Sequence, residues 1–467
     1  MNRFLVCATL MASMTALGVE SLTTTIPDGK TSAVTFNKDV LPVLQENCQS
    51  CHHAGGIAPM PLVTYENTRP WAKAIKAAVL NKQMPPWFAD PHVGEFRNAP
   101  NLTAEQISSL VAWADTGAAE GDAAAKPAAV QWTDGWRTQP DVVVSMPEPH
   151  KVEAKGDAEI LEFMVPNPFT EDTWVSSIEV RPGDPSVVHH VIVQIPENTQ
   201  QGFLTRAVPV NVLVAQAQQA FSGGGSYFDP IILSMERKTG KGAFMTMEAV
   251  YAPGTSPIDF GYRNSAKLIR GGKPIRIEVH YTPNGRETTD QTKIGFTLAK
   301  APAERRFVIM APEHLVDSSK SIPAGDANYE TTGELTFTQD AELVWFMPHM
   351  HLRGKDMSYN LIYPDGRRQT VLNVKYNFNW QLGYELREPI QVTKGTRLVV
   401  VAHHDNSANN RMNPEPQNDV PWGELTSQEM MLPWFGVVVD GDAKPESIAT
   451  YRPGDLNSPL SVSRIAK

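Results

Sequence analysis

Two cysteines and a histidine stand together as Cys48-Gln49-Ser50-Cys51-His52, and this C-x-x-C-H spacing is the one that attaches c-type haem. Each thiol can add to a haem vinyl group, while His52, fixed beside the second thioether, is placed to coordinate the iron. A thioredoxin-type redox pair would want a βαβ context, and a zinc site would want a second C-x-x-C or paired histidines nearby; neither is present around residue 50. A second set of chemically capable residues is all imidazole. His189 and His190 are adjacent, His280 lies in Ile277-Glu278-Val279-His280-Tyr281, and His349 and His351 form an H-x-H pair. A lone strand histidine is more often a hydrogen-bonded or surface residue than a ligand. Five in paired arrangements, with no thiolate competing, point to copper or zinc, which histidine alone does not separate.

The elements around these histidines read as strands. Side chains on a strand alternate between faces, so His349 and His351 can reach one ion from the same side. Adjacent His189 and His190 cannot do so on a flat strand and need a twist, a bulge or a strand end. His280 falls on the face opposite the apolar row Ile275, Ile277 and Val279, away from the packing.

Around the cysteine motif the period is helical. Val40, Leu41, Val43 and Leu44 precede it, and Trp71, Ile75 and Val79 follow. A third helix is announced by Thr103 and Gln106 in a capping-box arrangement, continued by Ile107, Leu110, Val111 and Ala114, and stopped by Gly117. Residues 35–121 therefore resemble a class I cytochrome c domain, an all-α module with a haem ligand in the loop before its last helix. Met84, in Gln83-Met84-Pro85-Pro86-Trp87, is the expected sixth ligand, because a thioether on a proline-stiffened loop suits an electron carrier; Met60, His53 and His92 are the alternatives. Residues 122–139 begin rich in alanine and read as a linker, and from residue 140 short β-rich runs alternate with turn signals such as Pro364-Asp365-Gly366.

The chain has 467 residues, room for roughly two to four domains of ~100–200 residues each. A net charge of −10 and the lack of any basic run exclude the electrostatic footprint of a nucleic-acid binder. Residues 1–18 place Arg3 before an apolar run ending at Leu17, which reads as a cleaved export signal shorter than the ~20 residues that span a bilayer. Cys7 would leave with it. No membrane span is expected, and covalent haem on an exported chain points to a periplasmic or secreted protein.

From about residue 155 to 455 the sequence resembles the copper type II ascorbate-dependent monooxygenases, the family of peptidylglycine α-hydroxylating monooxygenase and dopamine β-monooxygenase. The matching segments are Val188-His189-His190, Val279-His280-Tyr281, His349-x-His351-x-x-Gly354 and Thr426-Ser427-Gln428-Glu429-Met430. The resemblance implies two all-β jelly-roll-type sandwich domains, 140–300 and 301–456. It implies one copper on His189, His190 and His280, and a second, oxygen-activating copper on His349, His351 and Met430. Met431 is the neighbour that would serve if the register slipped. His403 and His404 take supporting or surface roles, and His150 and His314 none. The family's peptide-amidating member holds its substrate carboxylate with an arginine, an asparagine and a tyrosine; here the corresponding positions are Met347, Leu432 and Trp434, so a small neutral, mainly hydrophobic substrate is expected. The animal enzymes also use disulfides in this core, and no cysteine is left here to form one. The expected function is O2-dependent hydroxylation with haem c relaying electrons from an external donor, either a small reductant or a redox protein, to the two coppers. The alternative is a non-catalytic haem and copper electron carrier.

Overall fold

The computed structural model describes residues 34–451 apart from 55, 57, 101, 132–135, 157, 196–207, 210–243, 313–319, 424 and 425. The expected signal 1–18 and His314 lie outside the described residues. The fold is mostly β-sheet with few helices.

The α-helices gather before residue 120. A π-helical turn, Phe36–Val40, runs into the α-helix Leu41–Asn47, followed by Tyr65–Thr68, Ala72–Leu80 and Ala104–Asp115. Their apolar stripes meet in a small core of Phe36, Val40, Leu44, Ile75, Val79, Leu110 and Trp113. The Thr103 capping box is formed: Thr103 Oγ1 accepts from the Gln106 amide, and Gln106 Oε1 accepts from the Thr103 amide. Gly117 follows the last helix at φ +96°, a left-handed conformation that glycine adopts without steric cost. Trp71 departs from the expected stripe. It precedes its helix and is 42% exposed, while Trp113, which the sequence pattern leaves unremarked, is fully buried against Phe36.

Beyond residue 140 two sandwiches share one long sheet. Strands Val142–Ser145, Lys293–Leu298, Thr173–Arg181 and Ser265–Ile269 form one end of it; Arg305–Pro312, Leu432–Asp440, Ala341–His349 and Tyr384–Val392 form the other. The ends are joined by a short parallel pairing, Ser265 with Arg305 and Ala266 with Arg306. A five-stranded sheet containing Val188–Gln194 and Ile275–Tyr281 encloses the first core, and another containing Gly354–Ile362 and Arg397–His404 encloses the second. Strand Leu432–Asp440 serves both cores. Leu432, Trp434 and Val438 face the first; Phe435, Val437 and Val439 face the second. Burial on both faces explains its unbroken apolar run.

One segment crosses from the helical part onto the sheets. Phe88–Asp90 pairs with the strand Arg368–Lys375, which ends a five-stranded sheet, through Asp90 N to Asn373 O and Lys375 N to Phe88 O. Glu95–Arg97 pairs with Tyr384–Val392, which ends the long sheet, through Arg97 N to Glu385 O and Arg387 N to Glu95 O. Ala89 and Phe96 are buried in the second core, and Trp87 and Phe96 stand edge-on to Tyr384. The segment read as a linker also ends tied down: Glu179 accepts from the amides of Arg137 and Thr138.

Candidate functional site

The strand carrying His189 and His190 is bulged. Across from it His280 pairs with His190 and Tyr281 with Val188, so His189 is the extra residue. The bulge turns two neighbouring imidazoles toward one place, and their Nδ1 atoms are 3.0 Å apart. The His280 ring lies 3.6 Å from that of His190, centre to centre. His349 ends its strand and His351 follows in the turn, their rings perpendicular at 5.3 Å. His190 and His349 are only 5.6 Å apart, so the two histidine sets adjoin.

Hydrogen bonds decide which nitrogen of each ring is available. A carbonyl or carboxylate oxygen only accepts, so the facing nitrogen carries the hydrogen and the other keeps its lone pair. His189 Nε2 donates to Phe378 O at 3.1 Å, and His280 Nε2 donates to Glu278 at 2.7 Å; both rings keep a lone pair on Nδ1. His351 Nδ1 donates to Gln428 O at 3.1 Å. His349 Nδ1 donates to Gln381 Oε1 at 2.6 Å, an orientation set because the Gln381 amide nitrogen points at Phe378 O. Both members of the H-x-H pair therefore keep the lone pair on Nε2. His190 Nε2 is buried without a hydrogen-bond partner among the described residues, an arrangement that costs about 1–3 kcal/mol unless something binds there.

These features suit a metal held by imidazole. His190 Nδ1 donates to the lone pair of His189 Nδ1 at 3.0 Å, which leaves the His190 lone pair on the unpartnered Nε2. Burial, reinforced by the neighbouring imidazoles, pushes His189 down to about 4 and His349 down to about 3, and it pushes His190 well below the ordinary value. Burial likewise brings His351 to about 4, against the opposing pull of Glu429. All four imidazoles are neutral at pH 7. His190, Glu278 and His280 place donor atoms within 4.8 Å of one another, but Glu278 is committed to His280 and Arg276. Burial alone would raise the Glu278 carboxyl; His280 and Arg276 instead hold it down to about 2. It anchors the His280 ring rather than adding a ligand.

Met430 and Met431 separate clearly. Met430 is half-buried and packs against the first core, the side from which the His189 strand comes, whereas Met431 is 2% exposed inside the second core. Glu429, between Met430 and the H-x-H turn in space, is fully buried and accepts from the amides of His351, Arg353 and Met430. His404 is buried beside Glu429 at 3.5 Å, and half-buried His403 donates to Asp356. His150 reaches Glu159. Phe378, Gln381, Gln428, Glu278 and Glu429 are the supporting residues that sequence reasoning missed.

A cavity of about 460 Å³ lies beside the histidines, bounded by His189, His280, Tyr281, Leu352, Phe378 and Met412. Among the described residues its lining carries no lysine or arginine, and Glu159 is the one carboxylate there. Met347, Leu432 and Trp434 are buried together in the first core, Met347 directly opposite Trp434.

At the cysteine motif, Cys48 and Cys51 form no disulfide, and both are half-buried. Burial pushes the Cys48 thiol up to about 12. His52 Nδ1 donates to Met60 O at 3.0 Å, leaving Nε2 with the lone pair. A side chain at Gly56 would meet Cys51 O at 2.3 Å, so the loop closes tightly behind the motif. These residues fit a thioether-linked haem. Met84 is half-buried at the end of the helix Ala72–Leu80, its amide near Ala78 O. Of the alternatives, Met60 packs on the helical core, His53 Nδ1 donates to Gln49 O, and exposed His92 sits in the segment that crosses to the sheets.

No family model matches the chain, and no curated protein matches it. Among solved structures it is similar to capsid proteins of infectious bursal disease virus. One is from the T13 viral particle, at 7% identity over 68% of this chain and 74% of that one, with a TM-score of 0.19. Another is the VP2 subviral particle, at 8% identity over 68% and 78%, with a TM-score of 0.16. Likeness at that level carries no argument about fold or function.

Proposed function

We propose that this chain is an exported oxidoreductase, a copper-dependent monooxygenase with covalent haem c. In this reading an all-α cytochrome c domain precedes two jelly-roll-type sandwiches. The observation that carries it is the sorting of ring nitrogens: Nδ1 is left available on His189 and His280, and Nε2 on His349 and His351. Four buried imidazoles and the half-buried one of His189, adjoining across the two sandwiches and each fixed by its other nitrogen where that contact is defined, are what ligation requires.

His189, His190 and His280 would hold one copper ion, and His349, His351 and Met430 the other; Cys48, Cys51, His52 and Met84 would hold the haem. When bound, these one-electron centres supply the two electrons that reduce one atom of O2 to water while the other enters a substrate C–H bond, the thioether favouring Cu(I). The protein's own part is positional. Glu278 keeps the proton on His280 Nε2, and Phe378 O keeps that on His189 Nε2. The apolar cavity binds and orients the substrate. Among its described lining residues that cavity offers no lysine or arginine to a carboxylate, which would have to shed water at a cost of several kcal/mol, so the substrate is neutral and mainly hydrophobic. The electron donor is a small reductant or a redox protein, in a periplasmic or secreted setting.

The test is a copper titration of the haem-bearing protein combined with oxygen uptake. Two copper equivalents per chain, and oxygen consumption that depends on an apolar organic substrate but not on a glycine-extended peptide, are expected. A single equivalent, or efficient turnover of the peptide, overturns the reading. Two equivalents without substrate-dependent oxygen uptake would leave an electron carrier instead.

A further inference from the structure

Arg137 lies outside the histidine cluster and in no motif, yet it joins three parts of the molecule. Its backbone amide donates to Glu179 on the strand Thr173–Arg181. One arm of its guanidinium donates to Thr255 O at 3.0 Å and to Ser256 Oγ at 3.2 Å. The other arm donates to Ser50 O at 3.2 Å and points at Cys51 Sγ at 3.7 Å. Those last two atoms belong to the loop of the C-x-x-C-H motif. Arg137 also lines a small cleft of about 70 Å³ with His53, Gly56, Glu179, Arg181 and Tyr251, at the seam between the helical part and the first sandwich.

The charges at this seam are unbalanced. Glu179 is 7% exposed, and its carboxylate is taken up by the amides of Arg137 and Thr138 and the Thr138 hydroxyl. The nearby cations are Arg137 itself and Arg181, which lies over the Trp136 ring. Arginine keeps its charge at every accessible pH and presents a planar fork that can serve two partners at once. A fixed cation in a part-buried cleft acts over several ångströms with little screening.

We propose that Arg137 is the positioning residue through which the first sandwich holds the haem loop and sets the haem potential. It rests on the haem reading of Cys48, Cys51 and His52. The cation beside Cys51 favours the reduced haem, whose iron carries one positive charge fewer, so it raises the midpoint. The fork on Ser50 O and Thr255 O locks the loop to the sandwich.

The experiment is spectroelectrochemical titration of the haem in the full chain, as wild type, Arg137→Gln and Arg137→Lys, with covalent haem in each scored by mass after denaturation. Arg137→Gln should retain the haem and lower the midpoint by on the order of tenfold in the reduced-to-oxidised ratio at fixed poise, where tenfold corresponds to about 59 mV for one electron. Arg137→Lys should keep most of the midpoint, because the charge remains, while the chain between residues 122 and 139 becomes more susceptible to limited proteolysis. Haem-bearing wild type and Arg137→Gln with equal midpoints overturn this inference alone. Wild type without covalent haem, from a host with working attachment machinery, overturns the haem reading and this one with it. If Arg137→Gln fails to fold, a midpoint in Arg137→Lys as low as that of the wild type unfolded in denaturant overturns the charge argument, and one near the native value supports it.

Discussion

Replacing Glu429 by glutamine removes one charge and one acceptor oxygen at the point where the H-x-H turn meets Met430. Glu429 has no exposed surface, and its Oε1 accepts from the Arg353 amide at 2.6 Å while Oε2 accepts from the amides of His351 at 3.0 Å and Met430 at 3.2 Å. Burial alone would raise this carboxyl, but His404 and the other surrounding donors hold it below its ordinary range. Whichever way the glutamine amide turns, its NH2 must face a buried N–H, so one or two charge-assisted bonds of about 1.5–3 kcal/mol each are lost. Arg353, 2% exposed, also loses the nearest buried negative charge. We expect Glu429→Gln to cost about 3–5 kcal/mol, in line with breaking a buried charged pair, and to lower the thermal transition of the copper-free, haem-bearing protein by roughly 5–15 °C. Because the same carboxylate fixes the backbone of His351 and of Met430, competition with a Cu(I)-specific chelator should show copper at the proposed second site bound about 10–100-fold more weakly, and at the proposed first site unchanged. A variant whose transition and second-site Cu(I) affinity both match the wild type would refute the reasoning.

The two neighbouring methionines should separate by assay: Met430→Ala weakens Cu(I) at one site with a small loss of stability, while Met431→Ala, cut from the second core, costs about 2–5 kcal/mol and spares the metal. Equal Cu(I) affinities in the two variants would contradict the register. In the copper-free protein, His189, His349 and His351 are held to about 4, 3 and 4, so the unfolded chain takes up protons near pH 6.5 while the folded one does not. Their contribution is therefore full above about pH 6.5 and is lost as pH falls toward ~4; a urea midpoint that stays flat between pH 7.5 and 5 would count against buried neutral imidazoles. Met347→Arg should yield less folded protein and no peptide hydroxylation, since the cation would sit against Leu432 and Trp434 in the first core at a cost of several kcal/mol. Thermal unfolding and oxygen uptake with a glycine-extended peptide check both halves of that statement.

Much of the site is legible in the residue types. The H-x-H spacing, the placement of His280 opposite an apolar row, and the need for a twist, a bulge or a strand end at His189-His190 all follow from strand alternation; of those three the structure uses a bulge. The Thr103 capping box is equally local. The supports of the histidines are not legible, because Phe378, Gln381 and Gln428 act through ordinary hydrogen bonds made from loops far away in sequence. Nothing in the type of such a residue marks it. The merging of two sandwiches into one long sheet is hidden for a similar reason: it rests on the parallel pairing of Ser265 and Ala266 with Arg305 and Arg306, and no turn motif specifies a parallel neighbour.

The segment 88–97 carries a consequence for how this chain can be cut or rebuilt. Sheets that end in an unpaired strand invite pairing with other molecules, and two of the strands that end sheets of the second sandwich, Arg368–Lys375 and Tyr384–Val392, are each paired with a stretch that belongs in sequence to the helical part. A truncation that starts near residue 140, designed to free the sandwiches from their helical neighbour, would strip both strands at once and uncover Tyr384, Leu386 and Val374. Such a fragment should self-associate, and returning residues 84–101 as a separate peptide should restore its solubility. The helical module would then act as a stopper as well as a passenger, which light scattering of the fragment with and without the peptide checks.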